Sequence, residues 1–153
     1  MEKQGDEGRV SYDAENHQAM VNLRAKKIAD IAHDFEALVI EGTVSASLVL
    51  VGWGSTYGTL KAAVVACQAV GIQVALIHLR HLNPLPHDLP KLLASFKTIL
   101  VAELNTGQLC QLLRSQYLVN AQSITQCNGL SFSVNDLVAA VQRSGVDNCS
   151  ENA

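Results

Sequence analysis

The sequence predicts an α/β fold in three layers, a mostly parallel sheet with helices on both faces. Three observations predict it. Short apolar runs alternate with helix-patterned stretches from about residue 37 onward. Leu48-Val49-Leu50-Val51 is continuously apolar, the pattern of a strand buried on both faces of a parallel sheet. With 153 residues, 48% hydrophobic and 16% charged, the chain has the length of one domain and ample material for a core.

The elements follow in order. The first twelve residues read as an exposed lead-in. Asp13 or Asn16 can cap a helix to about Asp34, with Met20, Val21, Arg24, Ile28, Ile31 and Phe35 near one face and Lys26, Lys27 and Asp30 on the other. Ala37 to Ile40 is a short strand, and Glu41 to Ser45 a turn. After the Leu48 to Val51 strand, Gly52 to Ser55 is a loop. Ser55 or Thr56 then caps a helix through Val70, with Leu60, Ala63, Val64 and Cys67 inward and Gly71 as the left-handed residue that ends it.

Ile72 to His78 is the next strand and Leu79 to Pro86 a loop, in which Asn83-Pro84-Leu85-Pro86 reads as a rigid turn. A short helix covers Asp88 to Ser95, and Thr98 to Ala102 is a strand. Asn105 or Thr106 opens a helix through Tyr117, with Leu109, Leu112 and Leu113 toward the core. Ala121 to Thr125 is the last strand. Ser133-Val134-Asn135-Asp136 has the pattern of a capping box for a closing helix to about Ser144.

Charge narrows the function classes. A net charge of -3 argues against a dedicated nucleic-acid or anionic-membrane binder. Residues 1–41 hold 14 of the 25 charged side chains, so the body from Gly42 onward is poor in charge and suited to lying against other protein. The longest uncharged run, Ala62 to Leu79, is broken by Gln68, Gly71 and Gln73 and changes period at Gly71, which predicts a βαβ segment rather than a membrane span. Cys67, Cys110, Cys127 and Cys149 have no metal-ligand or redox spacing, and Met1 to Gly8 is polar, so a reduced cytoplasmic chain without its own iron–sulfur cluster is expected.

Ligand-facing residues of such a fold collect at the carboxyl ends of the strands. Here these are Gly52-Trp53-Gly54-Ser55-Thr56, then His78, Arg80, His81 and Asn83, then Glu103, Asn105 and Thr106. The first loop nearly spells a dinucleotide fingerprint, but its third glycine comes one residue late and the acidic partner is missing. Ser55 has Trp53 and Tyr57 at its ±2 positions, so it is no nucleophile elbow. His78, His81 and Glu103 are the available metal ligands, without metal spacing. Arg80 suits a carboxylate or phosphate; the alternative is a salt bridge to Glu103 or to a partner subunit. Asn105 and Gln108 cap a helix. No complete catalytic set emerges.

Four segments carry a family resemblance: Gly8-Arg9-Val10-Ser11-Tyr12-Asp13 with Asn16-His17 and Leu23 to Lys27; Val51 to Gly58; His78 to Pro86; and Glu103 to Leu109. In this order they resemble the last domain of 2-oxoacid:ferredoxin oxidoreductase alpha subunits, most of all the 2-oxoglutarate-using branch, over about residues 8–145. The resemblance implies a transketolase C-terminal-like domain with a five-stranded mixed sheet, one antiparallel edge strand and the order 1-3-2-4-5. It divides the chain into a lead-in and helix (1–35), the domain (36–145) and a flexible tail (146–153). It implies a parent enzyme that converts 2-oxoglutarate and coenzyme A to succinyl-CoA and carbon dioxide while reducing ferredoxin, with thiamine diphosphate, Mg²⁺ and iron–sulfur clusters.

None of those cofactors is expected on this chain alone. It lacks the acidic-plus-asparagine diphosphate–magnesium motif and looks like an excised C-terminal domain, packed beside the pyrimidine-binding domain of its own subunit and near the beta subunit. The resulting expectation is an assembly domain, inactive alone. The competing expectation is an anion module that holds a coenzyme A phosphate through Arg80, Ser55 and Thr56. A lower third is a small enzyme using Glu103 and His78.

Overall fold

The computed structural model describes residues 2–4 and 8–146. The chain divides into two compact units, Met1–Glu36 with His81–His87, and Ala37–Arg80 with Asp88–Ala153.

In the first unit, strands β1 (Glu2–Gln4) and β2 (Arg9–Ser11) pair antiparallel within the expected lead-in, and most of their residues are exposed. Helix α1 (Ala14–Asp30) starts at Asp13, whose carboxylate accepts the Asn16 N–H at 2.9 Å, and a 3-10 turn (Ile31–Asp34) continues it. The pair is tied to the helix through Glu2, which Arg24 meets at 2.7 Å and His17 at 3.7 Å. No residue of α1 is buried: its expected apolar face stays open. His81 stacks on Phe35, rings 4.1 Å apart.

The second unit is built on a sheet of β3 (Ile40–Gly42), β4 (Leu48–Trp53), β5 (Ala75–Leu79), β6 (Thr98–Glu103) and β7 (Ala121–Thr125). Their order is β3-β5-β4-β6-β7, parallel except for β3, which pairs antiparallel with β5 at one edge. This is the expected 1-3-2-4-5 arrangement. The edge strand begins three residues later than expected and takes in Glu41 and Gly42, because Glu41 sits opposite Leu76 while the Leu38 N–H is drawn off to Asp88 Oδ2 at 2.8 Å. Helices α2 (Tyr57–Ala69), α3 (Leu89–Leu93) and α4 (Gln108–Tyr117) join successive strands, and α5 (Val134–Val146) follows β7.

Strand residues alternate between the two faces. Leu48, Leu50, Leu76, Leu100 and Ala102 form one core with Leu60, Ala63, Val64 and Cys67 of α2 and Leu137 and Val141 of α5. Their neighbours Val49, Val51, Ala75, Ile77, Ile99 and Val101 are equally buried on the other face, where α4 packs on β6 and β7. In α4 the inward residues are Leu109, Cys110 and Leu113; Leu112 is only half-buried, a correction of one step around the helix. Gly71 has φ 81 and ends α2, and Ser133 Oγ accepts the Asp136 N–H at 3.1 Å to cap α5. The tail expected beyond Val146 lies outside the described residues.

Candidate functional site at the carboxyl end of the sheet

The connection from β4 through α2 leads to β5 on one side of β4, and the next connection crosses to β6 on the other. The carboxyl ends of β4 and β6 therefore flank the switch point of the strand order, where open α/β sheets take ligands.

At the end of β4 the chain turns sharply. Gly52 belongs to the strand, and a Cβ there would sit 2.2 Å from Leu60 Cδ1 and 2.7 Å from Thr56 Oγ1. Glycine is what lets α2 lie this close over the strand end. Gly54 to Thr56 form a 3-10 turn into α2. Thr56 was expected as a helix cap, or as a donor to phosphate. It does stand at the N-cap of α2, but it is buried, makes no side-chain cap bond, and gives its hydroxyl proton to the Trp53 carbonyl at 2.8 Å, leaving none for a phosphate. Ser55 is exposed and Trp53 half-buried.

His78, at the end of β5, is held by that turn. Its Nε2 lies 3.1 Å from the Gly54 carbonyl. A carbonyl only accepts, so Nε2 carries the proton. The Tyr57 ring lies across His78 with centroids 4.9 Å apart. The Tyr57 hydroxyl donates to Glu41 Oε1 at 2.8 Å and accepts from Lys61 Nζ at 3.1 Å, while Lys61 pairs with Glu41 Oε2 at 2.9 Å. The Lys61 ammonium and then the Tyr57 hydroxyl hold the Glu41 carboxyl below the usual range. The same carboxylate and hydroxyl push the Lys61 ammonium above its usual range. This network has no local signature, since Glu41 and Lys61 are twenty residues apart and meet only through sheet and helix packing.

Glu103, at the end of β6, is completely buried. Its carboxylate accepts the Leu109 N–H at 2.8 Å, the Cys110 N–H at 2.9 Å and the Asn105 side-chain amide at 3.1 Å. The expected pairing with Arg80 is absent, because Glu103 is spent on the first turn of α4 and Arg80 is exposed. Asn105 completes the turn by accepting from the Gly107 and Gln108 amides at 2.7 and 3.3 Å. Helix α4 therefore starts at Gln108 rather than Asn105 or Thr106, and Thr106 is exposed.

The structure thus brings together Gly52, Trp53, Thr56, Gly54 and His78 as one turn, and Glu103 with Asn105 as another. Arg80 belongs to the second unit, whereas His81 and Asn83 belong to the first. Among the described residues no three His, Cys, Asp or Glu side chains gather as a metal site. Of the carboxylates at this end, Glu103 is engaged by amides and Glu41 by Lys61, so neither fits a magnesium–diphosphate group. The arrangement is two locked turns, with no nucleophile–base pair.

The sequence matches the family described as pyruvate:ferredoxin oxidoreductase core domain II over residues 46–137. It is 41% identical to the 2-oxoglutarate oxidoreductase subunit KorA of Mycobacterium tuberculosis over 90% of this chain and 21% of that protein. It is 38% identical to the alpha subunit of 2-oxoacid:ferredoxin oxidoreductase 1 of Aeropyrum pernix over 54% of this chain and 14% of that one. The chain therefore spans about a fifth or less of these relatives. Among solved structures, 2-oxoglutarate:ferredoxin oxidoreductase of Magnetococcus marinus, with 2-oxoglutarate, coenzyme A and succinyl-CoA bound, superposes with a TM-score of 0.83 at 27% identity, covering 93% of this chain and 25% of that one. A split-gene transketolase shares the fold, with a TM-score of 0.55 at 19% identity over 71% of this chain and 43% of that one.

Proposed function

The chain belongs to the pyruvate:ferredoxin oxidoreductase core domain II family, and on that premise we propose that it is the C-terminal domain of the alpha subunit of a 2-oxoglutarate:ferredoxin oxidoreductase. The observation that carries this reading is the 41% identity to the Mycobacterium subunit over nine-tenths of the chain. The parent enzyme joins 2-oxoglutarate to coenzyme A as succinyl-CoA, releases carbon dioxide and passes the electrons to ferredoxin. Thiamine diphosphate with Mg²⁺ supplies the decarboxylation and iron–sulfur clusters the electron path, all held by polypeptide other than this chain.

The part played by this chain is assembly. Residues 36–145 form the transketolase C-terminal-like domain, set against the pyrimidine-binding domain of the same subunit and the beta subunit. The locked turns at Thr56 and Glu103 support this role, since they present shaped backbone and a half-buried Trp53 rather than reacting groups. Free thiols at Cys67, Cys110 and Cys127 suit a cytoplasmic setting. No helix among the described residues is long and apolar enough to cross a membrane.

The test is reconstitution. The chain joined to the remaining oxidoreductase polypeptides should support ferredoxin reduction that depends on 2-oxoglutarate and coenzyme A. The chain alone should give none, and its calorimetric titration with thiamine diphosphate and Mg²⁺ should give no binding heat. Micromolar binding by the chain alone, or reconstituted activity equal with pyruvate, would overturn the reading.

A further inference from the structure

The end of the sheet opposite the switch point has its own character. Four loops enter the parallel strands there: residues 43–47 before β4, 70–74 before β5, 94–97 before β6 and 118–120 before β7. Together they carry a single charged side chain, Lys97. Three of them project an aliphatic side chain into water: Val44 is 66% exposed, Val70 64% and Leu118 90%. The four strands they serve lie side by side in the order β5-β4-β6-β7. At the usual strand spacing the row is about 15 Å long.

Leu118 is the most telling of the three. It ends α4 with φ 54, the left-handed region, its N–H bonded to the Arg114 carbonyl. Among the described residues it is the only non-glycine with positive φ. Glycine or asparagine fits that position more easily, since a Cβ there crowds the following carbonyl. The sequence instead keeps a large apolar side chain on a costly backbone and leaves it in water. Neither stability nor solubility explains that choice; contact with another surface does.

We propose that this amino end of the sheet is a docking face, with Leu118 as its anchor. Its occupant is an apolar protein surface carrying an acidic side chain for Lys97, contributed by the rest of the parent oxidoreductase. Depletion of charge is the compositional mark of an interface centre. The exposed aliphatic area is on the order of a few hundred Å², well below the roughly 800 Å² per partner that a free-standing association buries. That favours a partner held by further contacts over a second copy of this chain. In the Magnetococcus structure the matching fold is a quarter of a longer chain, so such neighbouring polypeptide exists in the relative. The proposal rests on the function proposed above.

The deciding variant is Leu118→Gly, because its two effects differ in sign. It frees the backbone and removes the anchor. Its melting temperature should hold or rise by up to about 3 °C, while its dissociation constant for the remaining oxidoreductase polypeptides weakens at least about tenfold. Val44→Lys with Val70→Lys should weaken association as much, with melting within about 2 °C of wild type. The docking face is wrong if wild type associates and both variants associate equally well. It is also wrong if wild type forms a dimer that Leu118→Gly abolishes, which would give the face to a second copy. If wild type itself fails to associate, the functional reading falls and this partner with it.

Discussion

Glu103 and Cys110 are joined across seven residues by a 2.9 Å bond from a backbone amide to a carboxylate with no solvent exposure. The same carboxylate takes the preceding amide, Leu109. It thus satisfies two of the donors that the first turn of a helix leaves without a partner. An acid from a neighbouring strand does what a local serine or aspartate usually does, and it also faces the positive end of the helix. The motif Glu103-Leu104-Asn105-Thr106-Gly107-Gln108-Leu109 is therefore a strand-to-helix lock.

The lock predicts the outcome of two substitutions. Glu103→Ala leaves the Leu109 and Cys110 amides buried without acceptors and should cost about 2–4 kcal/mol in urea unfolding. Glu103→Gln keeps one acceptor oxygen but turns an amide N–H₂ toward a backbone donor, and should cost about 1–3 kcal/mol. If both variants unfold at the wild-type urea midpoint, Glu103 does not hold α4.

The Glu41–Lys61 pair makes a statement about pH. Glu41 is depressed by Lys61 first and Tyr57 second. A depressed carboxyl contributes stability above its unfolded value of 4.5, and that contribution is lost as pH falls through the lower folded value. Lys61 is raised, so its share is complete below 10.5 and is lost only as pH climbs past its folded value. Stability from the pair is thus level between these limits and falls on the acid side. The pair is solvent-accessible, so screening by water keeps its contribution small. Lys61→Met should remove more stability at pH 7 than at pH 3, where the contribution of Glu41 is already falling, read by urea unfolding at both. An equal loss at the two pH values would mean that the effect of Lys61 comes from its packing.

What the sequence made legible was whatever depends on neighbours in the chain. Leu60, Ala63, Val64 and Cys67 repeat at helical spacing and are all buried, Gly71 ends α2, and Ser133 caps α5. The strand order came with the family resemblance that the ordered motifs carry. What it hid was pairing through space. Arg80 and Glu103 looked like partners because both stand at strand ends, but backbone amides six and seven residues away had the prior claim on the acid. Glu41 looked like part of a turn because its antiparallel register with Leu76 is set by a strand more than thirty residues later. Cys110 rather than Leu112 faces inward because α4 begins at Gln108, two or three residues beyond the expected cap.

Asp88 gives the last prediction. Its Oδ2 accepts the Leu38 N–H at 2.8 Å, which fixes the chain just before β3. Its Oδ1 is buried and has no hydrogen-bond partner among the described residues. The half-buried side chain keeps one useful bond while its second oxygen is shut away from donors, and an acceptor left buried without a donor is costly. Asp88→Asn keeps an acceptor for Leu38 and removes the charge. It should match or exceed wild-type stability, by up to about 1 kcal/mol. Asp88→Ala removes the acceptor as well and should cost about 1–2 kcal/mol, with faster hydrogen exchange at the Leu38 amide. If Asp88→Asn is as damaging as Asp88→Ala, the charge itself is needed, and Oδ1 serves a cation or donor that binds there in solution.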